Sequence, residues 1–209
     1  MRFAFAPCVV VTVVLLSGAT AARAEDREAR GGTSIAYNHQ GQFGLYAQLG
    51  IGYRALFRYN ENDFCGTAGS GVCTGFGSPW IELGISYAPT SRVELITDFR
   101  IGLTDDFHPD TARVKPPREL AVSPGIKLYL DEKGSVKWFG TLQVALDFTD
   151  YSADGVAASL DVGIRNENGL LVDLHRTFGV YAHFGETVAF VRWFRVELDF
   201  GVGMQARFP

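Results

Sequence analysis

Over most of its length this chain of 209 residues alternates apolar and polar residues with a period of two, which leaves few folds open. The clearest case is the final stretch, FRVELDFGVGMQARFP. Phe194, Val196, Leu198, Phe200, Val202, Met204, Ala206 and Phe208 occupy one register. Arg195, Glu197, Asp199, Gly201, Gly203, Gln205 and Arg207 occupy the other. Successive side chains of a β-strand point to opposite faces, so such a strand has one apolar and one ionic face.

The same rule recurs from Phe43 onward. Phe43 to Arg54, Ile81 to Tyr87, Val93 to Leu103, Leu120 to Leu130 and Val136 to Phe148 all alternate, as do a run beginning at Leu160 and another from Phe178 to Phe184. With the terminal run these make eight expected strands. The sixth is ambiguous: RNENGLLVDL reads either as a hairpin at Asn168-Gly169 or as one strand bulged at its asparagines and ending near Leu174. The bulged strand is preferred, because a hairpin would add a strand and reverse the loops that follow.

The connections alternate in length. A long Gly-rich segment from about Ala55 to Ser78 is followed by the short PTS, then TDDFHPDTARVKPP by DEKGS, and TDYSADG by HRT. An up-and-down barrel with short turns on one side of a membrane and long loops on the other has this asymmetry. Residues 1–24 read as a signal peptide. Arg2 precedes the apolar run Val9 to Leu16, and Ala22-Arg23-Ala24 places small residues where cleavage before Glu25 is expected. Residues 25–42 read as a periplasmic lead-in and residues 43–209 as the barrel domain. The formal charge of −4 argues against a nucleic-acid partner, which favours a basic patch. Cys8 would leave with the signal. Cys65 and Cys73, in FCGTAGSGVCTG, then read as a local disulfide of an exported chain, since no histidine lies near them to suggest a metal site.

Period two does not say which face points inward. A soluble lipocalin-like barrel would enclose the apolar register; a membrane barrel inverts this. The apolar registers of the eight runs carry no charge, as either interior or lipid demands. Most runs have the length needed to cross a bilayer at a tilt, about 9–11 residues. Aromatic residues gather near strand ends: Tyr53, Tyr87, Trp138, Phe148, Trp193 and Phe208. The polar register is nearly balanced. Arg54, Arg100, Lys127, Lys137, Arg165, Arg195 and Arg207 face Glu82, Glu94, Asp98, Glu119, Asp147, Asp161, Glu197 and Asp199. Charges enclosed in a barrel that side chains fill need partners, and glycines in the same register leave room for them. The expectation is an all-β protein, an eight-stranded antiparallel up-and-down transmembrane β-barrel with a salt-bridged lumen.

The last strand resembles the C-terminal insertion signal of bacterial outer membrane β-barrel proteins, an alternating strand closing on an aromatic. Phe200, Val202, Met204 and Phe208 stand in its apolar positions, followed here by Pro209. With eight strands the chain resembles the small barrels of the OmpA, OmpX and OmpW kind. That resemblance implies the outer membrane as location, its lipid and lipopolysaccharide as surroundings, and the barrel assembly machinery as partner during insertion.

No constellation points strongly to catalysis. His108 with Asp105, Asp106 and Asp110 reads as a solvated acidic loop. Asp173 and His175 have an Asp-x-His spacing that resembles part of an outer membrane protease site, but they fall at the short-turn end of a chain too short for that ten-stranded fold. Lipid A deacylases resemble the chain in size, yet YAHFGE offers His183 and Glu186 with Gly185 where their serine would stand. No cofactor or metal is implied. The expected function is that of a non-enzymatic barrel displaying loops for surface contact or envelope integrity, their ligand unspecified by the sequence. The alternative is a narrow pore or small-solute transporter.

Overall fold

The computed structural model describes residues 38–57, 72–104, 118–131, 134–149, 160–192 and 194–209. Among the described residues nine strands form one antiparallel sheet: β1 (Phe43–Phe57), β2 (Val72–Phe76), β3 (Trp80–Tyr87), β4 (Val93–Gly102), β5 (Leu120–Tyr129), β6 (Val136–Asp147), β7 (Asp161–His175), β8 (Phe178–Ala189) and β9 (Phe194–Phe208). Eight of them close a ring, β1-β3-β4-β5-β6-β7-β8-β9, sealed by β1 against β9 from Phe43↔Phe208 to Phe57↔Phe194. A closed ring has no unpaired edge, as a sheet surrounded by hydrocarbon requires.

The ninth element, β2, is absent from the sequence reading, which placed a loop from about Ala55 to Ser78. β1 pairs with β3 only up to Gly50↔Trp80 and then overshoots it. The edge thus exposed is covered by β2, in register from Tyr53↔Phe76 to Phe57↔Val72. The bulge expected at the asparagines is also corrected. β7 pairs regularly with both neighbours through Asn166 and Asn168, and its irregularity falls between Asp173 and His175. Both asparagines lie in the outward register. Asn168 Nδ2 donates to Asn166 Oδ1 (2.5 Å) and Asn166 Nδ2 to the Thr141 carbonyl (3.0 Å), so their amides are satisfied without breaking the ladder.

The two registers separate as lipid and lumen faces. Leu95, Ile126 and Leu142 lie in the outward register, Leu142 being 55% exposed, while Arg100 and Lys127 are buried inside. A soluble carrier with an apolar interior is the reverse of this. Outward aromatics pair near both ends: Phe43 with Tyr87 (ring centroids 4.8 Å apart) at the short-turn end, Tyr53 with Phe76 (5.2 Å) and Phe57 with Phe194 (5.3 Å) at the long-loop end. These positions suit the headgroup level. One correction applies to the outward face. β8 continues past Phe184 to Ala189, which brings the charged Glu186 into the apolar register, three residues before that strand's long-loop end.

Five interior rings face glycines across the ladder: Tyr46↔Gly84, Trp80↔Gly50, Phe139↔Gly169, Tyr181↔Gly203 and His183↔Gly201. A Cβ at Gly84 would collide with the Tyr46 ring, and one at Gly50 with the Trp80 indole. Glycine is thus required by the width of the lumen. Gly84→Val should destabilise the folded barrel by about 1–3 kcal/mol through overpacking. Gly140→Ala, outward and with no atom nearer than 3.5 Å, should be tolerated. Leu142→Lys, midway along β6 on the lipid face, should cost about 2–4 kcal/mol. Urea titration in detergent or lipid, followed by heat-dependent gel migration, checks all three.

Candidate functional site: the barrel interior

Glu186 apart, alternation carries the ionic residues of the ring strands inward, where they form three layers. At the long-loop end Arg54 donates from Nε to Glu197 (2.5 Å) and pairs through Nη2 with Glu119 (2.7 Å), and Arg195 pairs with Asp147 (2.8 Å). Asp161 Oδ1 accepts the backbone N–H groups of Val162, Val191 and Arg192 at 3.1, 3.0 and 2.8 Å, which ties down the β8–β9 turn.

The middle layer turns on two guanidiniums. Arg100, lying 4.0 Å over the Trp80 ring, reaches Glu82 (2.9 Å), Glu197 (3.0 Å) and Asp199 (3.1 Å). Arg165 on β7 reaches Glu82 on β3 at 2.7 Å and also pairs with Glu167. β3 and β7 stand four places apart in a ring of eight, so the Arg165–Glu82 contact crosses the full width of the barrel. Asp98 accepts hydrogen bonds from Tyr46 and Gln143, and Glu82 accepts one from Gln48. His183 sits in the same layer, beside Glu167 and Asp199.

At the short-turn end a partly aromatic cluster of Tyr46, Ile96, Tyr129, Phe139, Leu171 and Tyr181 fills the lumen. Lys127 Nζ lies among its rings, 4.9 Å from Tyr46, 5.0 Å from Phe139 and 5.4 Å from Tyr181. Among the described residues it is within ion-pair distance of no carboxylate; cation–π attraction stands where an ion pair was expected. Below it, Glu94 accepts from Ser86 (2.5 Å), Tyr129 (2.5 Å) and Gln205 (2.8 Å). Arg207 donates to the Tyr129 hydroxyl (3.0 Å), another contact between opposite strands, and to Asp173 (3.0 Å), which also pairs with Lys137 (2.5 Å).

The sequence reading missed several members. Glu167 has the parity of Arg165 and was hidden by the expected bulge. Trp80 stands one residue before the run from which its strand was read. His39, from the lead-in, had no periodic signal. A turn with Gly41 at φ 79° hydrogen-bonds to Ala88 beside β3, and His39 is buried with Nε2 2.9 Å from both Asp173 and Arg207. Burial pushes the His39 imidazole below its ordinary value, with Arg207 and Lys137 adding to that and Asp173 opposing it. Of the other candidates, Cys73 lies on β2, and His175 is exposed at its turn, bonded to Thr177 (2.9 Å). Asp173 faces inward while His175 does not, so the two do not converge. The signal segment, Cys65, Trp193 and the His108 loop with Asp105, Asp106 and Asp110 lie outside the described residues.

No family model and no curated protein matches the sequence. Similar folds occur among solved structures. The N-terminal β-barrel domain of Pseudomonas aeruginosa OprF matches with TM-score 0.51 at 14% identity, over 81% of this chain and 98% of that one. Neisserial surface protein A matches with TM-score 0.54 at 11% identity, over 81% and 100%. The Pseudomonas aeruginosa outer membrane protein OprG matches with TM-score 0.52 at 12% identity, over 83% and 99%. The chain has the fold of small eight-stranded outer membrane barrels.

Two measurements test the interior. Arg100→Ala leaves Glu82, Glu197 and Asp199 buried without that partner and should cost about 3–5 kcal/mol, read as a lowered urea midpoint. His39 binds a proton less readily when folded than when unfolded. Its contribution to stability is whole above about pH 6.5 and is lost as pH falls below that. Between about pH 7.5 and 5.5 the wild-type midpoint should therefore fall further than that of His39→Gln.

Proposed function

We propose that this protein is a non-enzymatic outer membrane barrel whose lumen is plugged by its own side chains and whose rigid wall presents the long loops for surface contact or envelope integrity. The observation that carries this reading is the pair of contacts between opposite strands, Arg165–Glu82 and Arg207–Tyr129, in two different layers of the interior. An eight-stranded ring is just wide enough for side chains to fill, and side chains that meet across its diameter leave a solute no continuous channel. The exposed apolar belt is the surface such a barrel turns to lipid and lipopolysaccharide. β2, by covering the overshoot of β1, stiffens the base of the first long loop, and a Cys65–Cys73 disulfide would shorten the free segment above it.

The reading requires electrical silence. Purified, refolded protein in a planar bilayer should show no discrete openings across salt and voltage, and uniform steps that scale with protein concentration would replace it with the pore reading.

The last strand serves, on the same proposal, as the recognition signal for the barrel assembly machinery. β9 presents Phe200, Val202, Met204 and Phe208 outward and pairs with β1 along its whole length. Phe208→Ala should slow machinery-assisted insertion several-fold in reconstituted vesicles, while unassisted refolding into detergent changes little.

A further inference from the structure

We infer that Glu167, His183 and Asp199 form a divalent transition-metal site inside the barrel wall. One oxygen or nitrogen from each falls in a group whose atoms all lie within 4.8 Å of one another. His183 Nδ1 is 3.4 Å from Glu167 Oε1 and 4.0 Å from Asp199 Oδ1. Three donors each about 2.1 Å from a zinc ion stand roughly 3.4 Å apart in tetrahedral geometry, so small side-chain rotations suffice.

Proximity of carboxylates alone would mean little. The independent observation is His183. Its side chain is fully buried, and neither ring nitrogen has a hydrogen-bond partner among the described residues. Buried imidazoles ordinarily donate from one nitrogen and accept at the other. This one points Nδ1 at two carboxylates: Asp199 Oδ1 accepts no hydrogen bond among the described residues, and Glu167 Oε1 is held by the Arg165 guanidinium. Arg165 also holds Glu82 through Nη1 and keeps that partner when Glu167 turns to a metal.

Charge favours an occupant of valence two. Glu82, Asp98, Glu167, Glu197 and Asp199 all contact the guanidiniums of Arg100 and Arg165, Glu197 being shared with Arg54. Carboxylates outnumber guanidiniums in this layer, a surplus that a divalent ion lowers, and uncompensated buried charge is costly. Donor chemistry selects the ion: one imidazole and two carboxylates suit zinc and its neighbours in the transition series better than calcium or magnesium, which take oxygen sets.

The backbone is cut to fit these side chains. Gly201 faces His183 and Gly185 faces Asp199 across the β8–β9 ladder. A Cβ at Gly201 would strike His183 Nε2, and one at Gly185 would strike Asp199 Oδ1. Gly185, which stands where a nucleophile would be needed for deacylation, is instead the position that leaves room for a ligand.

The test uses the whole barrel refolded with zinc or cobalt, desalted and assayed for metal by elemental analysis. Folding is scored separately by heat-dependent gel migration. Wild type should retain about one zinc per chain, and the cobalt form should show visible d–d absorption that zinc abolishes. His183→Ala and Asp199→Asn should each weaken retention against a competing chelator at least about 10-fold. Gly201→Ala keeps all three donors and should weaken it by displacing the ring, whereas His175→Ala at the exposed turn should not. Folded wild type that retains no zinc and shows no cobalt band overturns the site, and this arm needs no variant to fold. Equal retention by a folded His183→Ala places any metal elsewhere and overturns it too.

Discussion

Hydrocarbon offers no hydrogen bonds, so every backbone N–H and C=O of a spanning sheet must find its partner within the protein. β1 and β9 meet that demand by pairing from Phe43↔Phe208 to Phe57↔Phe194, and the sheet becomes a ring. The rest of the architecture follows from that closure. A ring has an inside, period two sends alternate residues into it, and with eight strands the inside is only as wide as two side chains meeting head to head. The ionic register therefore has no bulk solvent to turn to. Arg165 must find Glu82 on the opposite strand, and Arg100 must serve three carboxylates at once. Replacing any one of these residues alters the partners of several others.

Width also explains the glycines. Tyr46, Trp80, Phe139, Tyr181 and His183 are large for so narrow a lumen, and each faces a glycine on one of its two paired strands. Glycine within a strand ordinarily weakens it. Here the space it leaves is taken by a ring from the next strand, which supplies the packing that glycine lacks.

The alternation made the ring strands and the division into two faces legible, because lipid and lumen impose opposite demands on odd and even positions along every strand. Legibility failed where another rule competed. Asn166 and Asn168 looked like a break in the pattern because polar residues are costly in the outward register; their hydrogen bonds to each other and to the Thr141 carbonyl keep β7 regular. That misreading concealed Glu167. β2 was hidden because its five residues are set by the overshoot of β1, a difference in strand length that appears only when two strands are laid side by side. His39 enters the interior from outside any strand, through a turn that Gly41 permits, and no periodicity reaches it.

Lys127 shows how far reasoning from charge alone can go. Its parity places it inside with the other cations, and charge balance suggests a carboxylate partner. The lumen at that level is lined by Tyr46, Phe139 and Tyr181, whose faces hold the ammonium instead. Glu94 stands across the ladder from it, but its carboxylate is taken by Ser86, Tyr129 and Gln205, and carboxylates outnumber cations in the layer of Arg100 and Arg165. Counting charges along a register tests neutrality for the barrel as a whole, but neutrality is enforced layer by layer, over distances of a few ångströms. A register close to balance in sequence can thus enclose a cation held by aromatic rings at one level and surplus carboxylates at another, and that local imbalance is where the interior has a use for an ion of its own.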